Sequence, residues 1–363
     1  METTKTTEVL NLINNKTESI KFKDEQEFIQ ACEQLERATE RIQIPVAALT
    51  AKAKGEEYSA DKKSITEKIS IDYGVGESNI KPGAVKSLCD RAGISGTALS
   101  KVSTKELCQI LNCCLSVNDR STTAIKYGDE YAAFLSENYK VLPLGEIAEI
   151  TANKVKELGG SFVSGAMSLE GIIANYKMPQ NIAAAYKKLT NDALFKTEVT
   201  PILSVISSNV GLSGANIYPA FKTARTVFTI SKPITLDHKG NASIEKFKEH
   251  MDQIYALFNK AITGLESLKK VRIEYPRYTF LNACKKVGVG KKLTFLAYQE
   301  FQDMLEDVNT CTAYDVFMGM TEILYFADSK GQNSKELFEL QEVIARAFSI
   351  RWSDIDYPKS DWE

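Results

Sequence analysis

The spacing of apolar residues changes twice along this chain, and those changes limit the fold classes open to it. Over residues 25–42, Phe28, Cys32, Leu35, Thr39 and Ile42 fall on one face at helical spacing. In the middle, Thr123, Ile125 and Tyr127 alternate, as a strand with one buried face requires. Beyond residue 244 the period lengthens again. Ile244, Met251, Phe258 and Leu265 hold one heptad register, and Phe247, Ile254, Ala261 and Leu268 hold another. Helix-period segments around a strand-period middle predict an α+β protein. It has a mostly antiparallel central sheet flanked by helices, with helical N-terminal and C-terminal regions.

Local signals fill in that outline. Residues 50–63 read as a solvated connector, and Ile65, Ile69 and Ile71 as the start of a strand that Gly74-Val75-Gly76 breaks. Pro82 suits the first turn of a helix carrying Val85, Leu88 and Cys89, which Gly93 can end. Ser103-Thr104-Lys105-Glu106 is a capping box opening a helix through Leu115. Gly128-Asp129 reads as a hairpin turn into Tyr131–Ser136. Pro143 opens a helix that Gly159-Gly160 closes. Strands are expected within 161–177, 201–210, 214–220 and 224–231, close enough in sequence to pair antiparallel. Helices are expected near 293–307, 312–327 and 334–348. The expected division is an N-terminal helical segment and connector (1–60), an α+β core (61–240), a C-terminal helical region (241–350) and an acidic tail (351–363).

With 363 residues, 44% hydrophobic and 25% charged, the composition is that of an ordinary globular protein. No apolar run approaches the about 20 residues that span a bilayer. Met1-Glu2-Thr3-Thr4-Lys5 lacks the order of a secretion signal. Seven cysteines, an odd number in a long chain, do not form a disulfide framework. A bacterial cytoplasm is the expected location, with no membrane partner.

The net charge of −2 conceals a strong asymmetry. Residues 214–292 hold 15 Lys/Arg against 6 Asp/Glu, whereas residues 299–363 hold 5 against 14. The basic half centres on Lys269-Lys270-Val271-Arg272-Ile273-Glu274-Tyr275-Pro276-Arg277-Tyr278-Thr279-Phe280, followed by Lys285, Lys286, Lys291 and Lys292. Cations displace counterions from phosphates, and interleaved aromatics stack unpaired bases, so this composition suits single strands. Its bland counterpart is a solvated lysine face whose aromatics anchor the core. The acidic end, Asp354 to Glu363, reads first as a fraying terminus. Otherwise it docks a partner or folds back on the basic segment as a competitor. The heptads of 244–268 read first as an intramolecular bundle and second as a homo-oligomer seam.

Catalytic and metal signals are weak. Cys108, Cys113 and Cys114 cluster on a helical pattern, where reduced core thiols explain them better than zinc does. Gly288-Val289-Gly290-Lys291-Lys292 lacks phosphate-loop spacing. His238 lies on an expected turn beside Asp237, and His250 lies mid-helix between charges. No catalytic residue, metal or cofactor is expected.

Several stretches resemble a known family. The helical run Lys81–Leu115 leads into Tyr131–Leu142, where a strand runs into a Ser-x-x-Tyr pattern. Ser207-Ser208-Asn209-Val210-Gly211 and Arg225 form a second match, and Thr312-Ala313-Tyr314-Asp315 to Thr321-Glu322 a third. In these the chain resembles the phage/plasmid-like protein family of uncharacterised function, carried by bacterial phages and mobile elements. The likeness extends over most of residues 80–350. After Arg225 the family often carries Cys and an Asn-Gly turn, where this chain has Thr226-Val227-Phe228-Thr229. The resemblance implies a setting in replication, recombination or counter-defence, and adds Arg225 to the site. The combined expectation is a non-enzymatic, nucleic-acid-binding protein that favours single-stranded DNA. The alternative is a protein-interaction or self-assembling module, such as a host-factor binder, a counter-defence protein or a structural oligomer.

Overall fold

The computed structural model describes residues 2–14, 16–54, 69–74, 76–95, 99, 101–179, 181–182, 184, 186, 200–225, 227–231, 233–305, 310–330 and 334–362. The N-terminal part holds α1 (Glu2–Ile13), β1 (Ile20–Phe22), α2 (Glu25–Arg37), β2 (Thr39–Pro45) and β3 (Thr50–Ala53). It continues with β4 (Ile69–Asp72), β5 (Glu77–Ile80), α3 (Pro82–Ala92), α4 (Thr104–Leu115), β6 (Ser121–Tyr127), β7 (Glu130–Ser136) and α5 (Leu144–Glu157). Six strands follow: β8 (Ser161–Ser168), β9 (Gly171–Lys177), β10 (Thr200–Ser207), β11 (Ala215–Lys222), β12 (Val227–Thr229) and β13 (Ile234–Leu236). The remainder is α6 (Ile244–Met251), α7 (Ile254–Lys269), β14 (Arg272–Ile273), α8 (Pro276–Val287), α9 (Lys291–Leu305), β15 (Cys311–Thr312), α10 (Ala313–Ser329) and α11 (Ser334–Ala345).

The class is α+β, built on two large sheets. One runs β1-β8-β9-β10-β11-β12, with β13 also on β11. The other runs β2-β6-β7-β5-β4-β3. Their pairs are antiparallel except β5 with β7, which lie parallel because α3 and α4 intervene between them in sequence. β14 and β15 form a separate short ladder.

Many local signals act as their chemistry dictates. Ser103 accepts from the Glu106 amide, and Glu106 accepts from the Ser103 amide, so the capping box is complete. Pro82 sits in the first turn of α3, and Gly93 ends it in the left-handed conformation. Gly128 takes a positive φ of 56° at the β6–β7 turn.

Other expectations need correcting. The helix read through residue 42 ends at Arg37, and Thr39 and Ile42 lie in β2, paired with Tyr127 and Ala124. Thr39, Ile42 and Ile44 are β-branched and fit a pleated ladder better than a fourth helical turn. The connector read over 50–63 begins as β3, which pairs with β4. Residues 55–63 and Ile65 lie outside the described residues. The segment 1–60 is therefore not helical throughout, and its strands β2 and β3 pair with strands beyond residue 60.

Two apolar clusters hold the fold. The smaller packs α3 and α4 on the second sheet through Ile44, Ile71, Leu88, Leu111 and Phe134. The larger joins the first sheet to α2, α5 and the C-terminal helices through Phe28, Ile147, Leu203, Phe221 and Phe317. The heptad residues belong to this second cluster. Met251 is 1% exposed, Phe258 and Leu265 are 0% exposed, and Phe247 and Ile254 are also at 0%. The pattern is split into two helices at Asp252-Gln253, which pack against α5, β11 and α10. The seam that could have joined subunits through 244–268 is spent on the chain's own core. All seven cysteines are free, and burial pushes the Cys108 thiol up to about 11. Among the described residues no helix is long and apolar enough to cross a membrane.

Candidate nucleic-acid interface

α8 organises the basic surface. Pro276 opens it and Gly288 ends it in the left-handed conformation. Its inner face buries Thr279, Phe280, Leu281, Asn282, Ala283, Cys284 and Val287. Phe280 is 0% exposed and stacks on Phe301 with centroids 4.8 Å apart, so it is a core anchor and no base platform. Exposed Tyr275 and half-buried Tyr278 remain as stacking surfaces.

Arg277 is exposed at the start of α8, and Lys285 and Lys286 are exposed at its end. At 1.5 Å per residue, Arg277 and Lys286 stand about 13 Å apart along the axis. Lys270 at the end of α7 and Arg272 in β14 are exposed just before α8, and Lys269 is half-buried beside them. Lys291 and Lys292 open α9 in the open, with the Lys291 ammonium 5.5 Å from the Phe295 ring centroid. No ion pair engages Lys270, Arg272, Arg277, Lys286 or Lys292 among the described residues.

Two expected site residues are otherwise engaged. Arg225 pairs with Glu300 of α9 and, at 2.9 Å, with Glu322 of α10, and its guanidinium lies 4.0 Å from the Tyr325 ring centroid. It staples two helices to the sheet and is removed from the phosphate contacts. Lys285 pairs with Asp361 of the tail.

The tail does not fray. Trp352 and Ile355 are buried at 4% and 6% exposure. Asp356 accepts hydrogen bonds from the Glu274 amide (2.8 Å), the Tyr275 amide (2.9 Å) and the Thr279 hydroxyl (2.8 Å). α8 has no capping side chain of its own at Tyr275, so a carboxylate 81 residues away in sequence supplies the cap. Buried Asn282 donates to the carbonyls of Ile355 (3.1 Å) and Lys359 (3.0 Å). The acidic end has folded back on the basic segment.

That docking builds a feature the sequence reading missed. A pocket of about 470 Å³ is lined by Lys286, Arg346, Arg351 and Asp354, with Val287, Ile350 and Ile355 as apolar wall. Arg346 and Arg351 are exposed, and no ion pair engages either among the described residues. They went unnoticed because they belong to the acidic half by segment count. The available signal was two arginines in a stretch otherwise free of charge, 343–353.

A second cavity, of about 870 Å³, lies where the two sheets meet α11. Ser207, Ser208 and Val210 of the family-like stretch line it. Tyr139, from the first such stretch, donates to the Ser208 carbonyl at 3.0 Å and stacks on His238 with centroids 4.6 Å apart. His238, 5% exposed, holds the Lys140 carbonyl 2.7 Å from Nδ1, and burial lowers its pKa. His238 is therefore a buried packing element beneath the cavity's rim. Among the described residues no group of three or more His, Cys, Asp or Glu is placed to hold a metal ion.

Comparisons with family models, with curated proteins and with solved structures find no match. The functional reading therefore rests on the chemistry of the chain itself.

Proposed function

We propose that this protein binds single-stranded nucleic acid without catalysing a reaction on it, as a protein of a phage or mobile element acting in replication or recombination. The observation that carries this reading is the set of exposed cations around α8 that no carboxylate engages among the described residues: Lys270, Arg272, Arg277, Lys286 and Lys292. Arg346 and Arg351 extend that set into a pocket with apolar walls. Guanidinium forks and ammonium groups left in water cost the fold little and can bind phosphates. Tyr275 and Tyr278 offer ring faces among those cations, which favours unpaired bases over a duplex groove. Lys269 completes the phosphate contacts at the end of α7.

A gel shift with single- and double-stranded DNA and RNA at two salt concentrations tests this. The expected result is salt-sensitive binding that is strongest for single strands. Replacing Lys269, Lys270, Arg272 and Arg277 by Glu removes it. Tight binding indifferent to both salt and those replacements overturns the reading.

A further inference from the structure

The pocket beside α8 lies where the row of cations ends. Lys270 and Arg272 precede α8 and Arg277 stands in its first turn, whereas Lys286 lies in its last turn and lines the pocket with Arg346 and Arg351. Asp354 is the one carboxylate in that lining among the described residues, so three cations against one anion leave an excess of two positive charges. None of these four side chains makes an ion pair among the described residues. Lys286 also offsets the negative end of the α8 dipole, so the two guanidiniums supply most of the pocket's attraction for an anion.

The backbone that carries these groups is fixed before any ligand arrives. The walls come from α8 and from the turns Arg346–Ser349 and Trp352–Asp354. The second turn is closed by the Asp354 amide on the Arg351 carbonyl (3.0 Å) and the Ile355 amide on the Trp352 carbonyl (3.1 Å). Trp352 and Ile355 anchor it in the core, and Asn282 of α8 holds the Ile355 carbonyl at 3.1 Å. Such a frame lowers the ordering cost of binding. At about 470 Å³ the pocket falls within the range of small-group sites.

We propose that this pocket takes the terminal phosphomonoester of a single strand, whose next nucleotides run along α8 toward Arg277. The proposal rests on the nucleic-acid reading and deepens it. Charge selects the group. An internal phosphodiester carries a single negative charge, whereas a phosphomonoester carries about 1.5–2 at pH 7 and offers three acceptor oxygens. Separate cations such as Arg272 and Arg277 match the diester. A concave site with two surplus charges focuses its field on the monoester, and arginine forks bind its oxygens in pairs. Ile350 and Ile355 give the terminal sugar an apolar wall.

Fluorescence anisotropy of the full chain at low salt tests it. The probes are internally labelled single-stranded oligonucleotides of one sequence, ending in a 5′-phosphate, a 3′-phosphate or hydroxyls at both ends. The expected result is that one phosphorylated strand binds about tenfold tighter than the hydroxyl-ended strand. Arg346 and Arg351 are exposed, so Arg346→Gln combined with Arg351→Gln leaves the fold intact, as an unchanged circular dichroism spectrum would verify. That double variant brings the ratio of affinities to about one. Arg277→Gln weakens every strand and keeps the ratio. Equal affinities in the parent protein, or a preference that survives the double variant, overturns the proposal and leaves the nucleic-acid reading standing. Thymidine monophosphate binding as tightly as the phosphorylated strand overturns it in favour of a free nucleotide. Binding of none of the strands overturns both.

Discussion

The basic surface and the inter-sheet cavity differ in sign, shape and origin, and the contrast shows how each kind of site arises. The basic surface is built on helices from residues close in sequence, 269–292, together with the docked tail. Most of its cations are exposed, where charge is well solvated and costs the fold little. The cavity is built from residues between Leu12 and Glu342, brought together by strand ends, turns and α11. Its carboxylates surround apolar wall, where charge is more costly, and Glu130 and Glu342 there meet the Lys81 ammonium and the Tyr218 hydroxyl. One helix joins the two. Glu339 and Glu342 of α11 line the cavity, and Arg346, one turn beyond Glu342, lines the basic pocket. A surface rich in one sign of charge can be made from a short segment, whereas a cavity rich in one sign needs the tertiary fold.

Four variants test this contrast. The largest effect is expected for Lys269, Lys270, Arg272 and Arg277 replaced by Glu. Single-strand affinity at low salt falls about a hundredfold or more, read by fluorescence anisotropy. Asp356→Ala comes next. It removes the acceptor of three hydrogen bonds at the start of α8 and lowers stability by about 1–3 kcal/mol, read from a denaturant midpoint. Lys286, Arg346 and Arg351 replaced by Ala are expected to weaken single-strand binding about tenfold and leave stability intact, because these side chains are exposed and make no ion pair among the described residues.

The smallest effect concerns pH and the cavity's rim. Burial lowers the His238 pKa below that of the unfolded chain, so the unfolded state takes up protons first on acidification. The stability due to keeping His238 neutral is present above about pH 6.5 and is lost as pH falls through the folded-state pKa. His250 shifts the same way, so the slope does not vanish in a His238→Gln variant. It flattens below about pH 6.5, read as the change in denaturant midpoint with pH. An unchanged slope would show that His238 does not titrate in its stack on Tyr139.

Elements whose order is local were legible in the sequence. The β6–β7 hairpin, the capping box at Ser103 and the helix after Pro143 each depend on a few adjacent residues, and each forms where the pattern puts it. The boundary at Ala38 was not legible, because Thr39 and Ile42 continue a helical stripe and a strand equally well. Only pairing with β6 decides between them. The heptads reported burial correctly but could not say what covers them, since α5, β11 and α10 come from three distant parts of the chain. Arg225 and the cations of 269–292 were legible as charge. Their partners were not, because Arg225 meets Glu300 and Glu322, and Lys285 meets Asp361, only through tertiary packing. The tail's role as the cap of α8 is of the same kind.

The salt dependence of single-strand binding tests the central claim most directly. Each phosphate neutralised on a single strand contributes about −0.7 to the slope of log affinity against log salt, so five engaged cations predict a slope of about −3.5. Replacing Lys269, Lys270, Arg272 and Arg277 by Glu is expected to flatten that slope along with the affinity. A slope near zero in the parent protein, or one that the replacements leave unchanged, would contradict the assignment of the α8 surface as the nucleic-acid interface.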